Sequence, residues 1–504
     1  VIMVARFSRR AFLSGALAGL TAGSALADAP GQSLRPVLRP GGIAATAKVA
    51  SKSSVPPAAV LIEAAQLGGR VSFAVVDTRT GQMLEGHDAG LSHPPASVSK
   101  AVTALYALDV LGPKHRFLTR LVATGPIHNG VLKGDLVLAG GGDPTLDTNA
   151  LADMAAQLKA AGVREITGGF HVWGGALPLV RAIDRTQPDH AGYNPAISGL
   201  SLNYNRVYFE WKRGSNGWQV SMDARSDRYR PEVRVARMQI VNRSTPVYTY
   251  AEKNGIDHWT VADGALGNGG ARWLPVRQPE MYAGEVLRGF ARSHGIVLPE
   301  PRKRGNLPGG TMVARHVSPE LAIILRDMLK YSNNLTAEMV GMTATAKRKG
   351  HVGGLGDSAG EMSRWAKETL GMTRTALVDH SGLSDKSQMT AQDMALALAR
   401  AHRSAALKPM LKPFAMRDEN GRVNKAHPIK VQAKTGTLYF VSGLAGYASP
   451  PGRGDLAFAI LAADVGRRGR SNSDARPPGA RGWNARAKTL QQKLIERWAT
   501  LYGT

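Results

Sequence analysis

No cysteine occurs in this 504-residue chain. That excludes disulfides, thiol nucleophiles and cysteine-ligated metals at the outset. The 13 histidines include no His-Glu-x-x-His or comparable pattern, so neither a metal nor another cofactor is expected. Acidic residues are scarce beside basic ones, 38 against 64, which gives a formal charge of +26. A membrane-spanning run is missing too. Residues 11–27 are only mildly apolar, are diluted by Gly, Ser and Thr, and fall short of the roughly 20 apolar residues a bilayer demands. There is no internal repeat, and the length implies two or three domains rather than one core.

The first 27 residues carry Arg6 and Ser8-Arg9-Arg10-Ala11-Phe12-Leu13, then a run rich in Ala, Gly and Leu that ends at Ala25-Leu26-Ala27. A positive start, a mild apolar stretch and a small-residue cleavage site read as a secretory signal. The paired arginines favour the twin-arginine type. Removing the segment lowers the charge only from +26 to +23. Basicity of this size suits nucleic acid, but the charge is spread along the chain and export argues against that partner. Peripheral contact with an anionic wall polymer or membrane surface fits both facts, and the expected location is the periplasm. The composition leaves the oligomeric state open.

Strands are expected over 71–76 and 80–83 as a hairpin, then a helix over 97–110 after Pro94 and Pro95 stop the extended chain. From 117 to 305 the character changes to short, aromatic and Gly-rich strands, with helices near 149–161 and 281–294. Helices at 320–331, 335–344, 360–370 and 390–402 follow, then strands at 429–433, 445–448 and 456–463 and a closing helix at 484–498. This pattern predicts an α/β catalytic domain, an antiparallel sheet flanked by helices, built from 28–116 and 306–504. A large, mostly β insertion of one or two subdomains at 117–305 splits it.

Three short motifs carry the chemistry. In Ser97-Val98-Ser99-Lys100 the two polar ends share one helix face. A serine hydroxyl needs a neighbouring base, and a buried lysine near another cation gives up its proton readily enough to act as one. Taken alone, the pair reads more readily as a helix cap beside a solvated lysine. Ser332-Asn333-Asn334 lies between two helices, where it can cap the second or supply a relaying hydroxyl and a carboxamide that both donates and accepts. Lys434-Thr435-Gly436 follows a strand, and Thr437 comes next. A strand edge can bind an extended peptide, Gly436 permits close approach, and the Lys434 and Thr435 side chains can hold a carboxylate. The backbone N–H groups of Ser97 and Thr437 would form an oxyanion hole. Together the set describes a serine enzyme that needs neither histidine nor metal.

Their order and spacing, 235 residues from Ser97 to Ser332 and 102 more to Lys434, resemble the class C penicillin-binding proteins. This is the D-alanyl-D-alanine carboxypeptidase/endopeptidase family, peptidase family S13. Gly140-Gly141-Gly142-Asp143-Pro144-Thr145-Leu146, Asp379-His380-Ser381-Gly382-Leu383-Ser384 and Ser332-Asn333-Asn334-Leu335-Thr336-Ala337-Glu338 resemble further family stretches. His380 stands where a small residue is usual, and Asn333 where Asp is frequent.

The resemblance implies Ser97 as nucleophile, Lys100 as base and Ser332 as proton relay. Asn334, Lys434, Thr435, Gly436 and Thr437 would bind substrate, and Asp189 in the loop 184–195 would approach the substrate's free amine. It implies peptidoglycan stem peptides as substrates and β-lactams as covalent inhibitors. A β-lactamase-like hydrolase would require a dedicated deacylating carboxylate, and the sequence points to none. A non-catalytic murein-binding protein would not need Ser97, Lys100, Ser332 and Lys434 all in place.

Overall fold

Leu456–Ala463 is an unbroken apolar run, a pattern that suits a strand covered on both faces. In the computed structural model, which describes residues 55–470 and 477–503, all eight of its residues are buried. Leu456, Phe458 and Ile460 pack with Trp483, Leu494 and Trp498 of the closing helix Ala480–Tyr502. Ala457, Ala459 and Leu461 face a second core, built on helices Ser99–Leu111, Leu321–Tyr331 and Ala391–His402. The expected signal at 1–27 lies outside the described residues, as do residues 28–54 and 471–476.

This strand sits inside an antiparallel sheet of six, in the order Lys412–Pro413, Lys430–Leu438, Val441–Ser449, Leu456–Ala463, Arg70–Asp77 and Met83–His87. Val71 pairs with Ala462 and Val75 with Phe458, so the two ends of the chain meet at the middle of the sheet. The hairpin's second strand starts at Met83 rather than Thr80. Residues 78–82 form the turn, with Gly81 at φ 75° and its N–H on Asp77 O at 2.8 Å.

Between the two halves lies a unit with its own core, which includes Leu138, Phe170, Phe209, Trp259 and Tyr282. Its largest sheet runs Arg302–Lys303, Phe170–Trp173, Leu136–Ala139, Leu118–Ala123 and Thr311–Val317. Two three-stranded sheets accompany it, over Arg206–Pro275. Thr311–Val317 pairs antiparallel with Leu118–Ala123, so the inserted sheet continues past the expected edge at 305. The reason is physical: entry and exit strands of an insertion close best when they lie side by side. Helix Leu321–Tyr331 then starts the catalytic half again. Among the described residues, no helix is long and apolar enough to cross a membrane.

Candidate active site

Pro94 and Pro95 end the extended chain, and Ala96–Val98 forms a single 3₁₀ turn ahead of helix Ser99–Leu111. Ser97 therefore lies just before the α-helix rather than in its first turn. Ala96 holds a left-handed φ of 46°. The surrounding glycines make that turn possible. A Cβ on Gly382 would lie 1.9 Å from Ala96 O, and one on Gly436 would lie 2.7 Å from Pro95 O and 3.1 Å from Ser97 N. Glycine at both positions lets two distant backbones touch the Ser97 turn.

Lys100, one turn on, is fully buried. Its Nζ donates to Ser97 Oγ at 2.9 Å, to Asn334 Oδ1 at 2.7 Å and to Ser381 O at 2.8 Å. Burial pushes its ammonium down to about 8, against the pull of the Glu338 and Asp379 carboxylates. Glu338 is also fully buried and is pushed up by that burial, with Asp379 adding to the effect. It accepts the N–H groups of His380 and Ser381, each at 2.9 Å.

Ser332 ends helix Leu321–Tyr331 in the left-handed conformation, φ 58°, and Asn334 begins the next helix, Asn334–Lys349. Asn333 caps that helix by accepting Thr336 N–H at 3.0 Å. The capping role and the placement of the two polar neighbours hold together. Asn334 Nδ2 donates to Tyr193 O at 2.9 Å. Lys434 Nζ donates to Ser332 Oγ at 3.0 Å and to Thr435 O at 2.7 Å. Burial, and then the charges of Lys100 and Lys412, hold its ammonium well below the ordinary lysine value.

The expected strand at 429–433 runs further, over Lys430–Leu438, because Thr435 and Thr437 pair with Leu444 and Ser442. On its outer side the short strand Lys412–Pro413 reaches only Ala433 and Gln432. Among the described residues the edge from Lys434 onward carries no further strand. Ser97, Ser332, Asn334 and Thr437 line a cavity of about 330 Å³ together with Gln187, Tyr193 and Arg468. Lys434 stands behind Ser332, only 2% exposed, and Gly436 packs against the Ser97 turn.

Two further expected site residues do not line this cavity: Thr435, exposed on the strand Lys430–Leu438, and Asp189 in the loop 184–195. Asp189 is exposed, and its carbonyl accepts from Arg277. Gln187 and Tyr193 of the same loop line the wall instead. His380 is buried, bonded through Nε2 to Ser358 Oγ at 2.8 Å, and burial lowers its pKa to about 3. It is a neutral packing group. The sequence reading gave no role to Glu338 or to the Ser381 carbonyl. Glu338 was within reach, since it lies four residues after Asn334 on one helix face. The carbonyl left no side-chain signal.

Comparisons with known proteins bear on family and fold. The D-alanyl-D-alanine carboxypeptidase of Actinomadura sp. (strain R39) is 30% identical over 432 residues, covering 80% of this chain and 79% of that relative. The carboxypeptidase DacB of Haemophilus influenzae is 24% identical over 412 residues, covering 75% of this chain and 82% of the relative. The crystal structure of penicillin binding protein 4 (dacB) from Haemophilus influenzae shares the fold, with TM-score 0.72 and 19% identity, covering 87% of this chain and 99% of that one. A model of the D-Ala-D-Ala carboxypeptidase 3 (S13) family matches residues 57–481, and on that match the chain belongs to this family.

Proposed function

We propose that Ser97 is the nucleophile and Lys100 the base of a serine-type D-alanyl-D-alanine carboxypeptidase that also cuts D-Ala–diamino acid cross-links as an endopeptidase. The reaction class is that of the family. The single observation that carries the residue roles is the set of three acceptors around Lys100 Nζ. An ammonium has three N–H donors and fills all three. When it loses a proton, the carbonyl oxygens of Asn334 and Ser381 still require N–H groups, because neither can donate. Only the Ser97 hydroxyl can turn its own hydrogen toward a lone pair. The neutral amine is therefore aimed at the proton it must take.

In the reaction Ser97 Oγ bonds to the carbonyl carbon of the penultimate D-alanine as its proton passes to Lys100. The carbon–nitrogen bond breaks, and Ser332 passes a proton to the departing amine, taking in its place the proton that Lys100 holds. Water then attacks the ester, giving a free carboxylate and restoring Ser97. The Ser97 and Thr437 N–H groups stabilise the oxyanion, and Asn334 orients the acyl chain. Thr435 and Thr437, with positive potential from Lys434, hold the terminal carboxylate, and Gly436 keeps the strand close enough to do so. β-Lactams, which carry a carboxylate and a strained amide, acylate Ser97 by the same route. Recognition of the substrate's side chain falls to Gln187 and Tyr193, which line the cavity, rather than to Asp189. The basic charge and the signal expected at 1–27 support a periplasmic setting against the anionic wall.

Incubation with labelled penicillin and with disaccharide-peptide dimers tests this reading. The wild type should yield a covalent adduct and cleaved product, and Ser97→Ala should yield neither. An adduct that survives Ser97→Ala would remove Ser97 from the role.

A further inference from the structure

Three consecutive non-glycine residues occupy the left-handed region: Asn203 at φ 51°, Tyr204 at 58° and Asn205 at 51°. The outer two are locked by their side chains. Asn203 Nδ2 donates to Thr148 Oγ1 at 2.8 Å, and Asn205 Nδ2 donates to Ala196 O at 2.8 Å and Ser201 Oγ at 2.9 Å. The middle residue is thereby forced outward, 37% exposed, into a cavity of about 320 Å³. Strain that the surroundings hold in place collects at ligand clamps. This cavity is separate from the catalytic one and shares the same connection between helices. Ser332 and Asn334 line the catalytic cavity, while Tyr331 and Asn333 line this one.

Arg206 enters the same space. Its guanidinium carbon lies 5.3 Å from the Tyr204 ring centroid and 5.4 Å from that of Trp273. Its Nε is buried and has no acceptor. Among the described residues no carboxylate pairs with it, and burial lowers its pKa. A buried N–H without an acceptor is rare and asks for one. A guanidinium stacked on aromatic rings still presents its N–H edge to a planar carboxylate. Asp327 lines the cavity too, about half exposed, with a contact of 3.4 Å to the neighbouring Arg326.

We propose that this cavity is a second binding site, for a zwitterionic amino acid or short peptide, with its carboxylate on Arg206 and its ammonium on Asp327. Its body would stack on Tyr204 and Met328. Two sources offer this chemistry, and naming them rests on the proposed function: released D-alanine and trimmed stem peptides. Occupancy acts on Tyr331 and Asn333, which flank Ser332, and so couples to the catalytic turn.

Calorimetric titration of the full chain, with Ser97 first acylated by penicillin to block the catalytic cavity, tests the proposal. The probes are D-alanine, a stem tripeptide with a free amine, and the N-acetylated form of each. Saturable binding of D-alanine or of the tripeptide is expected, and which of them binds identifies the source. Acetylation, Arg206→Gln and Asp327→Asn should each weaken it about tenfold or more. Asp327 is a surface side chain, so its variant reports even if Arg206→Gln fails to fold. No saturable binding of either probe, or binding unchanged by Asp327→Asn and by acetylation, overturns the proposal. Should Ser97 take no penicillin, the same titration of the untreated chain still decides it, so the two failures are told apart.

Discussion

As the proposed base, Lys100 must be neutral to take the Ser97 proton, and burial lowers its pKa to about 8. The acylation rate should therefore rise with pH through about 8 and level off above it. Between about 8 and the ordinary lysine value of 10.5 the unfolded chain holds a proton that the folded one has released. This group's contribution to stability thus grows as pH rises through that window, and below it the buried ammonium carries its full desolvation cost. Lys100→Met should remove the rising limb and slow acylation by roughly 10²–10⁴. Stopped-flow acylation by a chromogenic β-lactam across pH 6–10 reads both, and a flat wild-type profile would contradict the assignment. Glu338→Gln removes a negative charge that favours the Lys100 ammonium, so the limb should move to lower pH. The same change sets an amide N–H against the N–H groups of His380 and Ser381 and should cost about 1–3 kcal/mol of stability. A limb that moves to higher pH would show that Glu338 does not act on Lys100 as its position implies.

At the scale of elements, glycine decides how closely the strand and the nucleophile turn approach. A methyl at 436 meets the backbone of Pro95 and Ser97, neither of which is a flexible side-chain end. Gly436→Ala should lower stability by about 1–3 kcal/mol through overpacking and slow acylation by displacing the oxyanion donors. Thermal melts and adduct kinetics check it, and a variant with wild-type melting and acylation would show the contact is soft.

The same strand shows what the sequence could and could not disclose. Its apolar start at Val431 and Ala433 was visible, but Lys434, Thr435 and Thr437 look like a turn because their place in the strand comes from pairing with Val441–Ser449. The helix after Pro95 was legible from its apolar pattern. The 3₁₀ turn that holds Ser97 ahead of it was not, because it depends on Gly382 and Gly436, hundreds of residues away. The motif residues were legible because their chemistry is in the side chain. Asp189 was misplaced because loop direction is set by backbone contacts, which leave no mark on residue type.

For the molecule as a whole, the insertion supplies part of the catalytic cavity. Arg277, 5% exposed, follows strand Gly269–Pro275 of the inserted unit. Its guanidinium donates to the carbonyls of Arg181 at 2.8 Å, Asn194 at 2.7 Å and Asp189 at 3.0 Å. The loop also closes on itself, with Asp184 N–H on Asn194 Oδ1 at 3.0 Å and Asn194 Nδ2 on Asp184 O at 2.8 Å. It then offers Tyr193 O to Asn334, whose other amide atom holds Lys100. A chain of hydrogen bonds therefore runs from the buried Arg277 of the insertion to Lys100. Arg277→Gln leaves at least one of those carbonyls without a partner and should cost on the order of 2–3 kcal/mol. Gln187 and Tyr193 ride on this loop, so a substrate that reaches them should feel the change more than one that does not. The expected result is a raised KM for stem peptides with a smaller change in kcat, while acylation by a short β-lactam stays close to wild type. Equal losses for both substrates would mean that Arg277 supports the fold alone and that the insertion does not tune the site.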